Sequence, residues 1–366
     1  MTRKLSLLSG LAILAVVLNH ASGWGFTAMV WWTDQYRSVA TPCFDQLGSP
    51  AYYGLLTIGQ LALFSVPAFL FVSGFFIAYA SRLTARGVSG KTVRARLGKL
   101  VWPYLIWSVA ILALAALQGQ VYEPGDYVRK LLTGGAVGAY FFVPLLAQFL
   151  LMSPWLCRWA RRGPRSLLMA AAAVQLAASV LYYQRLAGRP LPEFLQHNDW
   201  LFIWYALYFP LGLVVGLRLD TWAALIARYK RPLLVATAVF GALSILEAQL
   251  LYQLQLGLAW TMGPPKITSV LYAVAFIGAF LSIDLKRLPL TAALNWLGAH
   301  SYGIYLLHPE LLEIVARLIR KSAAGLLAGQ IGLMVILGAA GVGLAALLME
   351  ALARSPARSI YRYLFG

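Results

Sequence analysis

The chain has 366 residues, of which 61% are hydrophobic and 11% charged, with a mean hydropathy of +0.73. A soluble fold keeps about a quarter of its residues charged, so this balance excludes a sizeable soluble domain and a disordered polymer, and the long unalternating apolar runs exclude an outer-membrane barrel. The formal net charge of +18 would point to nucleic acid in a soluble chain; in a membrane chain it points to charged loops, and no nucleic-acid partner is expected.

A bilayer-spanning helix needs about 20 apolar residues. Ten uncharged or nearly uncharged stretches begin near Leu5, Ala51, Leu100, Leu131, Ser166, Trp200, Pro232, Ile267, Leu290 and Ser322. They predict an all-α polytopic integral membrane protein with about ten transmembrane helices, built as a single membrane-embedded domain over 1–366 with no appended soluble domain. With the N-terminus placed in the cytoplasm, 21 of the 30 Lys and Arg fall on the cytoplasmic side and nine on the other, Lys266 among the nine. The positive-inside rule then puts both termini in the cytoplasm. The start, Met-Thr-Arg-Lys before an apolar run, is not read as a cleaved signal, because the run continues uncharged to Thr33 and no small-x-small site stands clear of His20. Cys43 and Cys157 fall on opposite sides in this topology and are not expected to pair.

A helix that holds a polar group at membrane depth gives up insertion energy, a few kcal/mol for a charge. His20 lies roughly 22 Å along the first span and His308 roughly 27 Å beyond Leu290, at 1.5 Å per residue. Both helices run outward in this topology, so the two imidazoles are expected in the outer half of the core, able to face one cavity. His308 precedes Pro309, which biases it out of helical geometry and predicts a kink or a helix end there. A lone membrane histidine is equally well read as a hydrogen bond to a neighbouring helix, and that reading is favoured for His197 and His300. Glu247, the one carboxylate deep within a span, is read either as structural or as part of a polar path. No metal is expected: no two histidines share a helical face and two cysteines are too few for a cluster.

Five segments carry a family resemblance. LLSGLAILAVVLNH, Leu7 to His20, resembles the first helix of the membrane-bound acyltransferase 3 family, which ends in a histidine used for catalysis. VPAFLFVSGFFI, Val66 to Ile77, is similar to its Pro-x-Phe-x-x-Ser-Gly-Phe helix, and RARLGKLVWPYLIWS, Arg94 to Ser108, to the basic loop that leads into Pro-Tyr. YFFVPLLAQFLLMSPWL, Tyr140 to Leu156, resembles its fourth helix, and LGAHSYGIYLLH, Leu297 to His308, its Ser-Tyr-Gly-x-Tyr-Leu-x-His segment. The chain departs from the family where an acidic residue and an arginine commonly precede the first histidine: here Ser6 and Ser9 stand in their places. The family's Arg-x-x-Arg appears as Arg96 and Lys99, which keeps the charge and loses one bidentate fork.

The resemblance implies acyl transfer from cytoplasmic acyl-CoA, most often acetyl-CoA, to a hydroxyl of a bacterial exopolysaccharide or lipid-linked surface glycan, in the inner membrane. His20 and His308 are the candidate catalytic residues, His20 as general base or as transient acyl carrier. Arg94, Arg96 and Lys99 form a cationic rim for coenzyme A phosphates, or equally a set of ordinary lipid-headgroup charges. Trp31 and Trp32, beside Asp34 and Arg37, form the best patch for a sugar ring among aromatics that otherwise belong to the interfacial belt, and Ser301 and Tyr302 complete the candidate substrate contacts. Membrane lipids and polysaccharide assembly proteins are further expected partners, the latter because the chain ends soon after its tenth span. The alternative function is an exporter or flippase of a polysaccharide or lipid-linked sugar, supported by Pro and Gly within several spans.

Overall fold

In hydrocarbon every backbone N–H and C=O must find its partner within the protein, and a chain of long apolar segments meets that demand most simply as helices. The computed structural model describes residues 2–82, 87–196, 199–284 and 290–366, and these are helical with no strand among them. In chain order the helices are α1 (Thr2–Val30), α2 (Pro50–Leu61), α3 (Ser65–Ser81), α4 (Gly90–Leu117), α5 (Pro124–Thr133), α6 (Phe142–Arg162), α7 (Pro164–Leu186) and α8 (Glu193–Gln196). They continue with α9 (Tyr208–Leu217), α10 (Leu219–Arg228), α11 (Lys230–Gln253), α12 (Ile267–Ser282), α13 (Thr291–Ala299), α14 (Ser301–Ser322), α15 (Gln330–Arg354) and α16 (Tyr361–Phe365). Among the described residues seven helices are long and apolar enough to cross a membrane, and eight if the bent pair α9 and α10 is one span. The protein is an all-α polytopic membrane protein.

Several boundaries differ from the sequence expectation. The fourth span does not start at Leu131: that residue lies in α5, a helix with no buried residue, which stops at Gly134 with φ of 82°. A Cβ there would come within 2.6 Å of the Tyr140 carbonyl, so only glycine makes this turn. The expected span at Trp200 becomes α9, after which the chain turns by 108° into α10. α10 buries only Ile226, and α5 and α10 both read as amphipathic helices lying along an interface. The last span starts at Gln330 instead of Ser322, and Leu290 opens two helices, α13 and α14, separated at His300.

The chain forms two compact units. One comprises Val66–Lys230 and Leu352–Gly366. In it α3 and α9 touch through glycines: a Cβ on Gly74 would lie 2.2 Å from the Phe209 carbonyl, and one on Gly212 would lie 2.0 Å from that of Phe71. α16 rests on α4, where Trp107 Nε1 donates to the Leu364 carbonyl at 2.9 Å. α6 runs through Pro154.

The other unit comprises Thr2–Ser65 and Arg231–Ala351. Its central feature is a pair of rods, α1 and the α13–α14 pair. Gly10 and Gly298 oppose each other so closely that a Cβ on Gly298 would sit 2.2 Å from the Ser6 carbonyl and one on Gly10 1.9 Å from that of Leu294. Further along, His20 faces His308 and Trp32 faces Arg320. Each of these three pairs is separated by the same number of chain positions, so the two rods run parallel and in register. Small residues permit this close approach of backbones.

Candidate active site

Two histidines on parallel, glycine-packed helices come together in this unit. The His20 and His308 rings have their centroids 5.2 Å apart with planes tilted by 52°. His308 is fully buried (0% exposed) and His20 is half-buried. His20 is placed by α1, where its neighbour Asn19 donates through Nδ2 to the Gly59 carbonyl at 3.0 Å and so ties α1 to the last turn of α2. His308 does not mark a helix end. α14 passes through Pro309 unbroken, because the carbonyl of Tyr305, whose helix donor the proline removes, is hydrogen-bonded by the His308 ring instead, Nδ1 to O 2.8 Å. Side chains commonly repair the ladder at prolines in membrane helices in this way.

The remaining expected contacts distribute along the same two rods. Tyr302 stacks on Tyr305 (centroids 6.1 Å) and Tyr305 lies against His308 (6.1 Å), with Ser301 opening α14. Ser301 is seven residues before His308, roughly 10 Å at the helical rise. Trp31 and Trp32 lie on the opposite side, just beyond the end of α1. Trp31 is 41% exposed and meets Trp260 edge-on at 6.2 Å; Trp32 is 9% exposed and packs on Trp24 at 5.3 Å. The Trp pair and the Ser301–Tyr302 pair therefore flank the histidines from opposite ends and do not form one patch. Arg37 forms two hydrogen bonds with Asp45, 2.9 and 2.5 Å. The cation over Trp32 is Arg320, 5.0 Å from the ring centroid.

The histidine pair on a polytopic helical protein meets an independent finding. The family model described as "Acyltransferase domain" matches residues 3–350. The chain belongs to this acyltransferase family. It is also similar to "Putative membrane-bound acyltransferase YfiQ" of Bacillus subtilis (strain 168), 24% identical over 264 residues that make up 69% of each chain. No solved structure matches the chain.

In this acyltransferase the expected donor rim lies in the unit of Val66–Lys230 and Leu352–Gly366. Arg96 is partly buried and its Nη2 reaches the Phe76 carbonyl at 3.5 Å, while Arg94 and Lys99 are exposed. Arg161, which the sequence reading counted only as a loop charge, donates through Nη2 to the Ser81 carbonyl at 2.5 Å. Two guanidinium groups thus reach the C-terminal part of α3, and guanidinium forks suit phosphate oxygens. His300 takes no part in the pair. His300 stacks on Trp296 at 4.2 Å and shares a hydrogen bond with its carbonyl, 2.8 Å from Nδ1, at the break before α14. His197 lies outside the described residues, as do Arg86, Lys286 and Arg287.

Sequence reading missed Arg320, and its signal was positional: Arg320 follows His308 by as many residues as Trp32 follows His20. It also missed the Gly10 and Gly298 contact, which sits where the family's charged pair would stand. Ser9 turns its hydroxyl back on the Leu5 carbonyl (3.1 Å), and Ser6 lends its backbone carbonyl to the contact with Gly298.

Proposed function

We propose that this acyltransferase moves an acetyl group from cytoplasmic acetyl-CoA to a sugar hydroxyl of a bacterial exopolysaccharide or lipid-linked surface glycan, within the inner membrane. The observation that carries the reading is the pairing of His20 and His308 on two parallel helices of a membrane acyltransferase. A sugar hydroxyl is a poor nucleophile at neutral pH, and a neutral imidazole within reach takes its proton as it attacks. Bound acetyl-CoA supplies a thioester carbonyl as the electrophile. His20 is the half-buried member of the pair and so the one a substrate can reach; it serves as base, or carries the acetyl group transiently before the acceptor takes it.

The rods give the transfer a direction. Ser301 and Tyr302 flank the histidines on the side of the α14 start, and Trp31 and Trp32 on the side of the α1 end. Exposed aromatic faces stack on sugar rings, and Trp31 presents one, so the acceptor is assigned to the tryptophan end. Arg96, with Arg94, Lys99 and Arg161, supplies the phosphate contacts for coenzyme A, and guanidinium forks favour Arg96 and Arg161 for that role.

The test is the acetyl content of the host's extracellular glycan, read by NMR in a deletion strain restored with wild type or His20→Ala at matched membrane levels. Wild type is expected to restore O-acetyl signals and His20→Ala to leave them absent. Full acetylation with His20→Ala overturns the role of His20, and an exported glycan that wild type leaves unacetylated overturns the choice of group or acceptor. A deletion strain whose medium lacks the glycan altogether turns the reading to export.

A further inference from the structure

A proline inside a helix removes one N–H, so the carbonyl four residues earlier loses its helix donor. Twice among the described residues the residue just before the proline supplies a replacement. Before Pro154 in α6, the Ser153 hydroxyl donates to the Leu150 carbonyl at 2.7 Å. Before Pro309 in α14, His308 Nδ1 lies 2.8 Å from the Tyr305 carbonyl and 3.2 Å from that of Ile304. The two solutions differ in one chemical respect. A hydroxyl always has a hydrogen to give, whereas a neutral imidazole has one only on the nitrogen that carries it.

Both neighbours of His308 Nδ1 are carbonyl oxygens, and a carbonyl only accepts. The hydrogen of neutral His308 is therefore on Nδ1, and Nε2 is left with a bare lone pair. That Nε2 is buried and has no hydrogen-bond partner within the protein. Its ring sits against His20. We propose that Pro309 locks His308 in the Nδ1–H tautomer and thereby makes His308 Nε2 a standing hydrogen-bond acceptor for His20, so that His308 and Pro309 are positioning residues for the group that acts on substrate.

This rests on the proposed role of His20 and completes it. As the acceptor oxygen attacks the thioester carbonyl, the C–O bond forms, the C–S bond breaks, the hydroxyl proton passes to His20, and His20 gives it to the departing thiolate. His308 gains and loses no proton. Its Nε2, without a partner in the resting structure, accepts from one N–H of His20 once His20 takes up the proton, which fixes the other His20 nitrogen as the base and steadies the imidazolium while it lasts. A catalytic base oriented by a third group is a recurrent arrangement, and here the third group is an imidazole whose tautomer is set by a proline.

The experiment is nitrogen-15 NMR of the full chain in nanodiscs with labelled histidine, the His308 signals being those lost in His308→Asn. Wild type is expected to show His308 with a protonated Nδ1 and a bare Nε2. In Pro309→Ala the backbone N–H returns to the Tyr305 carbonyl, and His308 is expected to become a mixture of tautomers. With acetyl-CoA and a glycan acceptor, kcat is expected to fall roughly tenfold with KM unchanged, within the range a general base contributes. A wild-type His308 protonated on Nε2 overturns the lock, and so does an unmixed tautomer in Pro309→Ala. A mixed tautomer with unchanged kcat overturns the positioning role. The tautomer readout needs no turnover, so it stands or falls separately from the choice of acyl group and acceptor.

Discussion

A lysine ammonium carries three donors, and at position 266 all of them are used inside the protein. Lys266 is fully buried (0% exposed), and its Nζ meets Gln60 Oε1 at 2.6 Å, the Ser244 carbonyl at 2.7 Å and Ser244 Oγ at 3.3 Å. The same group joins α2, α11 and the start of α12, with Thr268 donating to the Glu247 carboxylate one turn away. Glu247 is thereby a hydrogen-bonded member of a polar cluster within the helices. Gln60→Leu removes an acceptor from a buried cation, and hydrogen bonds to charged groups contribute about 1.5–3 kcal/mol. A loss of that size is expected in thermal unfolding in detergent, with native-like helix content at low temperature. In the sequence Lys266 stood as a loop charge on the outer side, because a count of charges between apolar runs has no access to tertiary burial. His20 and His308 were legible for the opposite reason: a polar ring amid long apolar runs has few uses. The continuity of α14 was not legible, since the rule that a proline disfavours helix before it is local, and the repair depends on what the preceding side chain can donate.

At the level of elements, the register of α1 against α13 is set by glycine. Gly298→Val would drive a branched side chain into the Ser6 carbonyl, and overpacking of this kind costs about 1–3 kcal/mol. The expected outcome is a lowered unfolding temperature together with reduced acyl transfer, because the same two rods hold the imidazoles; Gly343→Val, at a position where a Cβ meets nothing within 4 Å, should leave both unchanged. Glycine is common in membrane helices, so neither Gly10 nor Gly298 announced a contact in the sequence; only the partner makes it one. The loop after α1 offers a pH prediction. Arg37, hydrogen-bonded to Asp45, holds that carboxyl well below the usual carboxylate range. A carboxylate with a depressed pKa contributes stability above its unfolded pKa and loses it as pH falls through the folded one. The difference in unfolding temperature between wild type and Asp45→Asn should therefore be present at neutral pH and close as the solution becomes more acidic than an ordinary aspartate's range, and it should be modest throughout because the pair is exposed.

For the whole molecule, hydropathy made the membrane class and the approximate helix inventory legible, because burial in hydrocarbon requires the same property along about 20 consecutive residues. Among the described residues seven helices pass that test, or eight with the bent pair. The expectation of about ten also counted α12 and α14, one short of a full span in length and the other carrying charges near its end. Where spans begin was less legible, as at α5 and α6, since an amphipathic surface helix adjoining a span reads as more of the same apolar run. Orientation is an experimental question with a ready reporter. With both termini in the cytoplasm, Cys43, partly exposed in the loop after α1, is expected to react with a membrane-impermeant maleimide added to intact cells, while Cys157, buried beside Ser81, is expected to stay unlabelled. Labelling of Cys43 only after the membrane is opened would invert the topology.

The parallel course of α1 and α14 has an electrical consequence. Each helix end that exposes carbonyls carries about half a negative elementary charge, and two parallel helices bring those ends to one level, beside Trp32. Arg320 and Lys321 occupy the last turn of α14, and Arg320 leans over Trp32, just past the end of α1. One guanidinium from the last turn of α14 so reaches the residue just past the end of α1. In the proposed transfer the acceptor hydroxyl becomes negative at the oxygen as it gives up its proton. On this reading a cation already held at that end favours the change without having to be drawn there.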